Sequence, residues 1–80
     1  MYLSVIEVEP NKDKKLLLTF ENGEKRIFDM KEYLEYGVFQ ELKDESIFNS
    51  VHIAFDSIEW ANGIDFDPEV LYEKSSPVNL

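Results

Sequence analysis

His52 is the only histidine of the chain and is therefore the first candidate for acid–base chemistry. It lies within residues 51–55, whose apolar side chains alternate as in a β-strand. General-base catalysis needs a positioned partner and a nucleophile, and no serine of the chain stands in the pattern of a nucleophile elbow. The sequence indicates a solvent-facing or capping histidine, and we predict neither a catalytic residue nor enzymatic activity.

Three acidic residues, Asp65, Asp67 and Glu69, alternate along one short segment. Carboxylates bind hard cations, but calcium needs six to eight oxygen ligands, usually from a longer loop with a glycine at its turn. Asp67 stands directly before Pro68, which is typical of a helix N-cap followed by proline at the first helical position. The segment therefore predicts a helix start and no metal site. A small-ligand or metal-sensing domain built on residues 65–69 is the alternative.

The residue types that usually build cofactor sites are absent or scattered along the chain. No cysteine is present, which excludes disulfides, thiolate metal sites and iron–sulfur clusters. Gly23, Gly37 and Gly63 are isolated, and a turn or a helix end accounts for each of them better than a phosphate-binding loop does. We expect no cofactor.

Trp60 has the side chain best suited to anchor an interface, because an indole combines a large apolar face with an N–H donor. It precedes a polar stretch that contains Asn62 and Asp65. A core position is the simpler interpretation, because a domain of this size needs its largest side chains inside. The sequence favours the core and leaves both positions open.

The charge of the chain is strongly acidic and unevenly distributed. Eight basic and 17 acidic residues among 80 give a net charge of −9. Residues 1–40 contribute 6 − 8 = −2, and residues 41–80 contribute 2 − 9 = −7. Such a surface repels phosphate backbones and attracts basic proteins, although a merely solubilising surface is the simpler interpretation. We predict no direct nucleic-acid binding, and we place the partner contacts at Trp60, Asn62, Asp65 and Glu69.

Length and composition predict one small domain with one core. A chain of 80 residues buries roughly 63% of its unfolded surface on folding. We expect one domain over residues 1–74 and a frayed tail over residues 75–80, because the Ser-Ser-Pro stretch offers little to bury. The chain begins without the basic region of a signal peptide, and no apolar run approaches the ~20 residues of a membrane span. With no cysteine to staple a secreted domain, we expect a cytoplasmic protein.

Alternating and helical patterns predict an α+β fold. The fold has a mostly antiparallel sheet of four to five strands with two or three short helices. Asn22-Gly23 predicts a two-residue hairpin turn that pairs Phe20 with Lys25. Asp29 heads a capping box and Gly37 marks the end of that helix. The predicted strands cover residues 2–9, 16–20, 25–28, 51–55 and 58–60, with extended chain resuming at 64–66.

Three segments carry a distinctive order of residues: Leu18-x-Phe20-x-Asn22-Gly23-Glu24, Gly37-x-Phe39-x-x-Leu42-x-Asp44 and Trp60-x-Asn62-Gly63-x-Asp65-x-x-Pro68-x-x-Leu71-Tyr72. Together they resemble a small bacterial and archaeal family, domain of unknown function 2442 (DUF2442). The resemblance runs over nearly the whole chain, from about Leu3 to Tyr72, and is most specific after Trp60. That family usually reads Trp-Pro-Asn-Gly at this point, whereas this chain has Ala61 in place of proline.

The resemblance implies a small α+β domain and neither an activity nor a cofactor. In some members the domain precedes a helix-turn-helix, which would make the chain a DNA-linked regulator, but these 80 residues contain no such module. Stand-alone members are often paired with a small companion protein, and the pair has been suggested to be a toxin–antitoxin module. We therefore expect a non-enzymatic interaction module that binds a small basic protein. The ligand-sensing domain and the DNA-linked regulator are its alternatives.

Overall fold

Antiparallel strands form two sheets in the computed structural model, which describes residues 2–78. The larger sheet has the strand order β1-β2-β3-β7 and the smaller one has the order β4-β5-β6. The smaller sheet lies beside the larger one, where β1 contacts β4 and β5. The strands are β1 (Val5–Pro10), β2 (Lys15–Phe20), β3 (Lys25–Asp29), β4 (His52–Ala54), β5 (Ser57–Glu59), β6 (Asp65–Phe66) and β7 (Ser76–Pro77).

Short helices fill the connections between the strands. Two are α-helices, α1 (Glu45–Phe48) and α2 (Pro68–Lys74), and two are 3₁₀ segments, Lys31–Tyr33 and Gly37–Lys43. Asp67 caps α2 as predicted, because its Oδ1 accepts a hydrogen bond from the Glu69 N–H at 2.8 Å. The α+β class is confirmed for the described residues, although their strands outnumber the four to five expected and form two sheets instead of one.

The turn at Asn22-Gly23 has one residue more than predicted. Phe20 N–H donates to the carbonyl of Glu24, and Gly23, with φ of +89°, donates to the carbonyl of Phe20. This is a three-residue loop that ends in a left-handed glycine. The predicted pairing of Phe20 with Lys25 is therefore wrong by one residue, since Lys25 lies opposite Thr19.

The observed register brings the apolar side chains of the hairpin to one face. Leu16 lies opposite Phe28, and both are buried with Leu18 and Phe20. The predicted register would place Phe28 on the opposite face, because a slip of one residue exchanges the faces of a strand. Burying a side chain of this size contributes about 1.5–3 kcal/mol, so packing selects the three-residue loop.

The helix predicted from Asp29 is shorter and tighter than expected. Asp29 Oδ1 accepts a hydrogen bond from the Lys31 N–H at 2.9 Å, but Tyr33 N–H bonds to the carbonyl of Met30, three residues back. That spacing defines a 3₁₀ turn. Gly37 begins the next 3₁₀ segment instead of ending a helix, and its φ of +47° turns the chain between the two.

The chain after α2 continues along the larger sheet up to Val78, over the first part of the tail that the sequence predicts for residues 75–80. Ser76 and Pro77 pair with β3, and Val78 N–H donates to the carbonyl of Lys25 at 3.0 Å. The Arg26 guanidinium holds this segment by donating to the Ser75 hydroxyl at 2.8 Å and to the Ser75 carbonyl at 2.7 Å. The remainder of the predicted tail, residues 79–80, lies outside the described residues.

One core joins both sheets and the helices. Trp60, Phe48 and Leu71 belong to the same buried cluster as the apolar side chains of β2 and β3. The buried apolar residues are Val5, Leu16, Leu18, Phe20, Phe28, Met30, Leu34, Leu42, Phe48, Ile58, Trp60 and Leu71.

Candidate protein-interaction surface

Trp60 lies in the core and is unavailable as a direct contact for a partner. Only 1% of its surface is exposed, and its Nε1–H donates to the carbonyl of Phe48 at 3.0 Å. The interpretation of Trp60 as a core residue is therefore confirmed. It acts on the surface only indirectly, by fixing the start of the turn that carries Asn62.

The turn at Asn62-Gly63 repeats the geometry of the turn at Asn22-Gly23. Trp60 N–H donates to the carbonyl of Ile64, and Gly63, with φ of +90°, donates to the carbonyl of Trp60. The Asn62 Oδ1 accepts a hydrogen bond from the Ile64 N–H, as the Asn22 Oδ1 does from the Glu24 N–H. The asparagine thus holds its own turn, and the rest of its side chain is presented outward.

Two of the predicted contact residues line one open groove. Asn62 and Asp65 lie across it from Val38 and Glu41. Asn62 Nδ2 donates a hydrogen bond to Glu41 Oε1 at 3.2 Å, which holds these two side chains together at the groove. Asp65 is exposed and its carboxylate forms no hydrogen bond within residues 2–78, so it is free to meet a cationic group.

Glu69 lies apart from this groove. It is on the exposed side of α2 and lines a separate depression with Tyr2, Leu3, Tyr72 and Glu73. The four residues predicted to form one patch are therefore divided among the core, the Asn62–Asp65 groove and the α2 depression.

The carboxylates of the second half of the chain are mostly exposed, and within residues 2–78 Glu59 is the one that lies within ion-pair distance of a basic side chain, His52. Eight of the nine are exposed, and Glu59 is half-buried. Within residues 2–78, none of them lies within ion-pair distance of a lysine or an arginine. The nine residues are Glu41, Asp44, Glu45, Asp56, Glu59, Asp65, Asp67, Glu69 and Glu73.

A row of ionisable groups crosses the smaller sheet. His52 lies opposite Glu59, and Glu59 lies opposite Asp65. His52 Nδ1 is 3.0 Å from the carbonyl of Ser50, and its Nε2 is 3.3 Å from Glu59 Oε1. The Ser50 carbonyl raises the pKa of His52, and the Glu59 carboxylate raises it further. Within residues 2–78 no three histidine or acidic side chains are close enough together to hold a metal ion.

Phe55 is an exposed aromatic residue that the alternation of residues 51–55 did not reveal. The strand ends at Ala54, so Phe55 lies in the turn, and 91% of its surface is exposed. It borders a depression that Asp65 and Pro68 also line. Only the length of the turn places this ring outside, and no glycine or asparagine marks that turn in the sequence.

Comparison with known proteins gives one match. The family model described as "Protein of unknown function (DUF2442)" matches residues 5–77. No curated protein and no solved structure matches the chain. Among residues 2–78, no helix has the length and apolar character required to cross a membrane.

Proposed function

The chain belongs to the DUF2442 family, and we propose that it is a non-enzymatic protein-interaction module that binds a small basic protein. The eight exposed carboxylates of residues 41–78 that have no lysine or arginine within ion-pair distance support this proposal most strongly. A field of one sign raises the association rate of an oppositely charged partner and suppresses the binding of partners with the same sign.

The Asn62–Asp65 groove provides the polar part of the contact. Asp65 offers a free carboxylate, and Glu41 supplies a second one that Asn62 already orients. Arginine pairs well with such carboxylates because its guanidinium donates two parallel hydrogen bonds. Val38, with 60% of its surface exposed, gives the groove an apolar wall.

The mechanism is occlusion. In an antitoxin-like role, the acidic surface covers the basic active face or the nucleic-acid-binding face of the partner. The complex then forms fast at low salt and weakens as salt screens the charges, because exposed charges more than about 8–10 Å apart are screened at physiological ionic strength.

Charge reversal tests this function. The tagged protein is incubated with lysate of the native host at low and high salt, and recovered proteins are identified by mass spectrometry. The partner is then purified for affinity measurements. We expect a basic protein in near-stoichiometric amount that is lost at high salt. Asp65→Lys and Glu69→Lys should each weaken its binding by roughly threefold to tenfold.

Glu7→Lys is the matched control. It makes the same change of charge at an exposed residue of β1, on the outer face of the larger sheet. If all three variants bind equally well, the contact surface lies elsewhere. If no basic protein is recovered at either salt concentration, the interaction function is wrong, and calorimetry with small ligands and with Ca²⁺, Mg²⁺ and Mn²⁺ becomes the next experiment.

A further inference from the structure

Phe55 occupies a position that neither burial nor backbone preference explains. It is the first residue of a two-residue turn between β4 and β5, where Ala54 pairs with Ser57. Its φ is +51° and that of Asp56 is +67°, the left-handed conformation that glycine and asparagine adopt readily. For residues with a Cβ this conformation destabilises the folded state. Burial of the ring does not offset that cost, because 91% of the surface of Phe55 is exposed.

The turn is fixed in place despite this cost. The carbonyl of Asp56 accepts a hydrogen bond from the Val5 N–H at 3.0 Å, which ties the tip of the hairpin to β1. The Asp56 carboxylate also accepts a hydrogen bond from the Tyr2 hydroxyl at 3.3 Å. Phe55 thus extends from a turn that these hydrogen bonds hold in place. A rigid aromatic side chain loses little conformational entropy when it binds a partner.

Apolar and acidic side chains lie on the segments next to this turn. Tyr2 and Ile53, on the neighbouring segments, are 44% and 39% exposed. The charge of Asp56 raises the pKa of Tyr2, with smaller contributions from Asp67 and Glu21, so these carboxylates lie near Tyr2. Asp65 borders the same depression as Phe55. The exposed ring of Phe55 therefore lies at a turn that has carboxylates nearby, at Asp56 and Asp65.

We infer that Phe55 is the anchor by which this domain docks on its partner. The inference rests on the proposed function and names its contact: the ring of Phe55 enters an apolar pocket of a basic protein. Lysine and arginine residues around that pocket face Asp56, Asp65 and Asp67. Charge complementarity selects this occupant, because a second copy of the chain would bring carboxylates of the same sign together.

Photo-crosslinking at the tip identifies what Phe55 contacts. p-Benzoylphenylalanine replaces Phe55 in cells of the native host, and a matched protein carries it in place of Tyr36, which is 66% exposed and does not line the depression beside Phe55. We expect irradiation to join position 55 to one basic protein, at a peptide with apolar residues flanked by lysine or arginine. Position 36 should give no such adduct.

Phe55→Asn then separates contact from folding. Asparagine tolerates the left-handed conformation, so the melting temperature should rise by roughly 2–6 °C while affinity for the purified partner falls about 30-fold or more. Tyr36→Asn is the control and should retain the affinity. A variant that is more stable and binds less cannot have lost binding through unfolding.

Each other outcome overturns the inference in a distinguishable way. If Phe55→Asn binds as wild type does while Asp65→Lys weakens binding, the interaction function stands and the anchor is wrong. If position 55 is joined to a second copy of the chain, the tip is a self-association surface instead. If wild type recovers no basic protein and position 55 gives no adduct, the proposed function and the anchor fail together.

Discussion

At the scale of single residues, His52 makes the stability of the folded protein depend on pH. The Ser50 carbonyl and the Glu59 carboxylate both favour its protonated form, and Asp65 lies next in the same row. Its pKa is therefore higher in the folded protein than in the unfolded chain. The stabilisation is fully present below the unfolded pKa of about 6.5 and is lost as pH rises through the folded pKa.

We expect His52→Gln to remove this dependence. The difference in unfolding free energy between wild type and His52→Gln should favour wild type at pH 5.5 and shrink by pH 8.5. Urea unfolding at both pH values measures it. A difference that grows towards pH 8.5 would show that the histidine is held in its neutral form.

At the scale of elements, Ser50 and Ala61 show how this chain holds the turn at Asn62-Gly63 without a proline. The Ala61 N–H donates to Ser50 Oγ at 3.0 Å, and the Ser50 hydroxyl donates to the carbonyl of Ile47 at 2.5 Å. Proline has no N–H and could not make the first of these bonds. The hydrogen bond from Ala61 to Ser50 therefore restrains this turn, as the fixed φ angle of a proline would do.

A double-mutant cycle tests this exchange. Ser50→Ala should destabilise the domain by about 1–2 kcal/mol, because it removes both hydrogen bonds. In that background Ala61→Pro should restore about 0.4–1 kcal/mol, whereas in wild type its gain is offset by the lost bond. Denaturant unfolding of the four proteins gives the coupling energy, and a value of zero would mean that Ser50 does not hold the turn.

The same scale shows what could be predicted from the sequence. Asn-Gly marked both three-residue loops and Asp67-Pro68 marked α2, because these residues act through their own backbone and neighbouring N–H groups. The length of the first loop could not be predicted, since two- and three-residue loops both accept Asn-Gly and the packing of Phe28 decides between them.

The candidate surface was harder to predict for the same reason. Asp65 and Asn62 could be identified from charge and turn chemistry, and the structure brings them to one groove. Phe55 could not, because the alternation of residues 51–55 continues the predicted strand through Phe55, whereas the turn begins at Phe55 itself. Its exposure follows from the pairing of Ala54 with Ser57, which only the assembled hairpin fixes.

At the scale of the whole molecule, the net charge of −9 destabilises the folded state through repulsion between like charges. Within residues 2–78, the ion pairs that could offset it join Arg26 to Glu24, Lys43 to Glu35 and His52 to Glu59. The Lys43 pair is largely exposed, and exposed pairs contribute about 0–1 kcal/mol. Repulsion among the carboxylates of residues 41–78 is therefore stronger than the attraction within these ion pairs, and salt screens both.

Stability should consequently rise with ionic strength. Raising NaCl from 20 to 300 mM shortens the screening length to below about 8 Å, so the melting temperature of wild type should increase by several degrees. Glu73→Lys, which reduces the net charge to −7 at an exposed position in the last turn of α2, where the helix dipole favours a cation, should be more stable than wild type at low salt and gain less from added salt. A melting temperature that falls with salt in both proteins would mean that ion pairs hold this fold.

The same salt should weaken the complex with a basic partner, so the free domain and the bound domain are expected to respond to ionic strength in opposite directions.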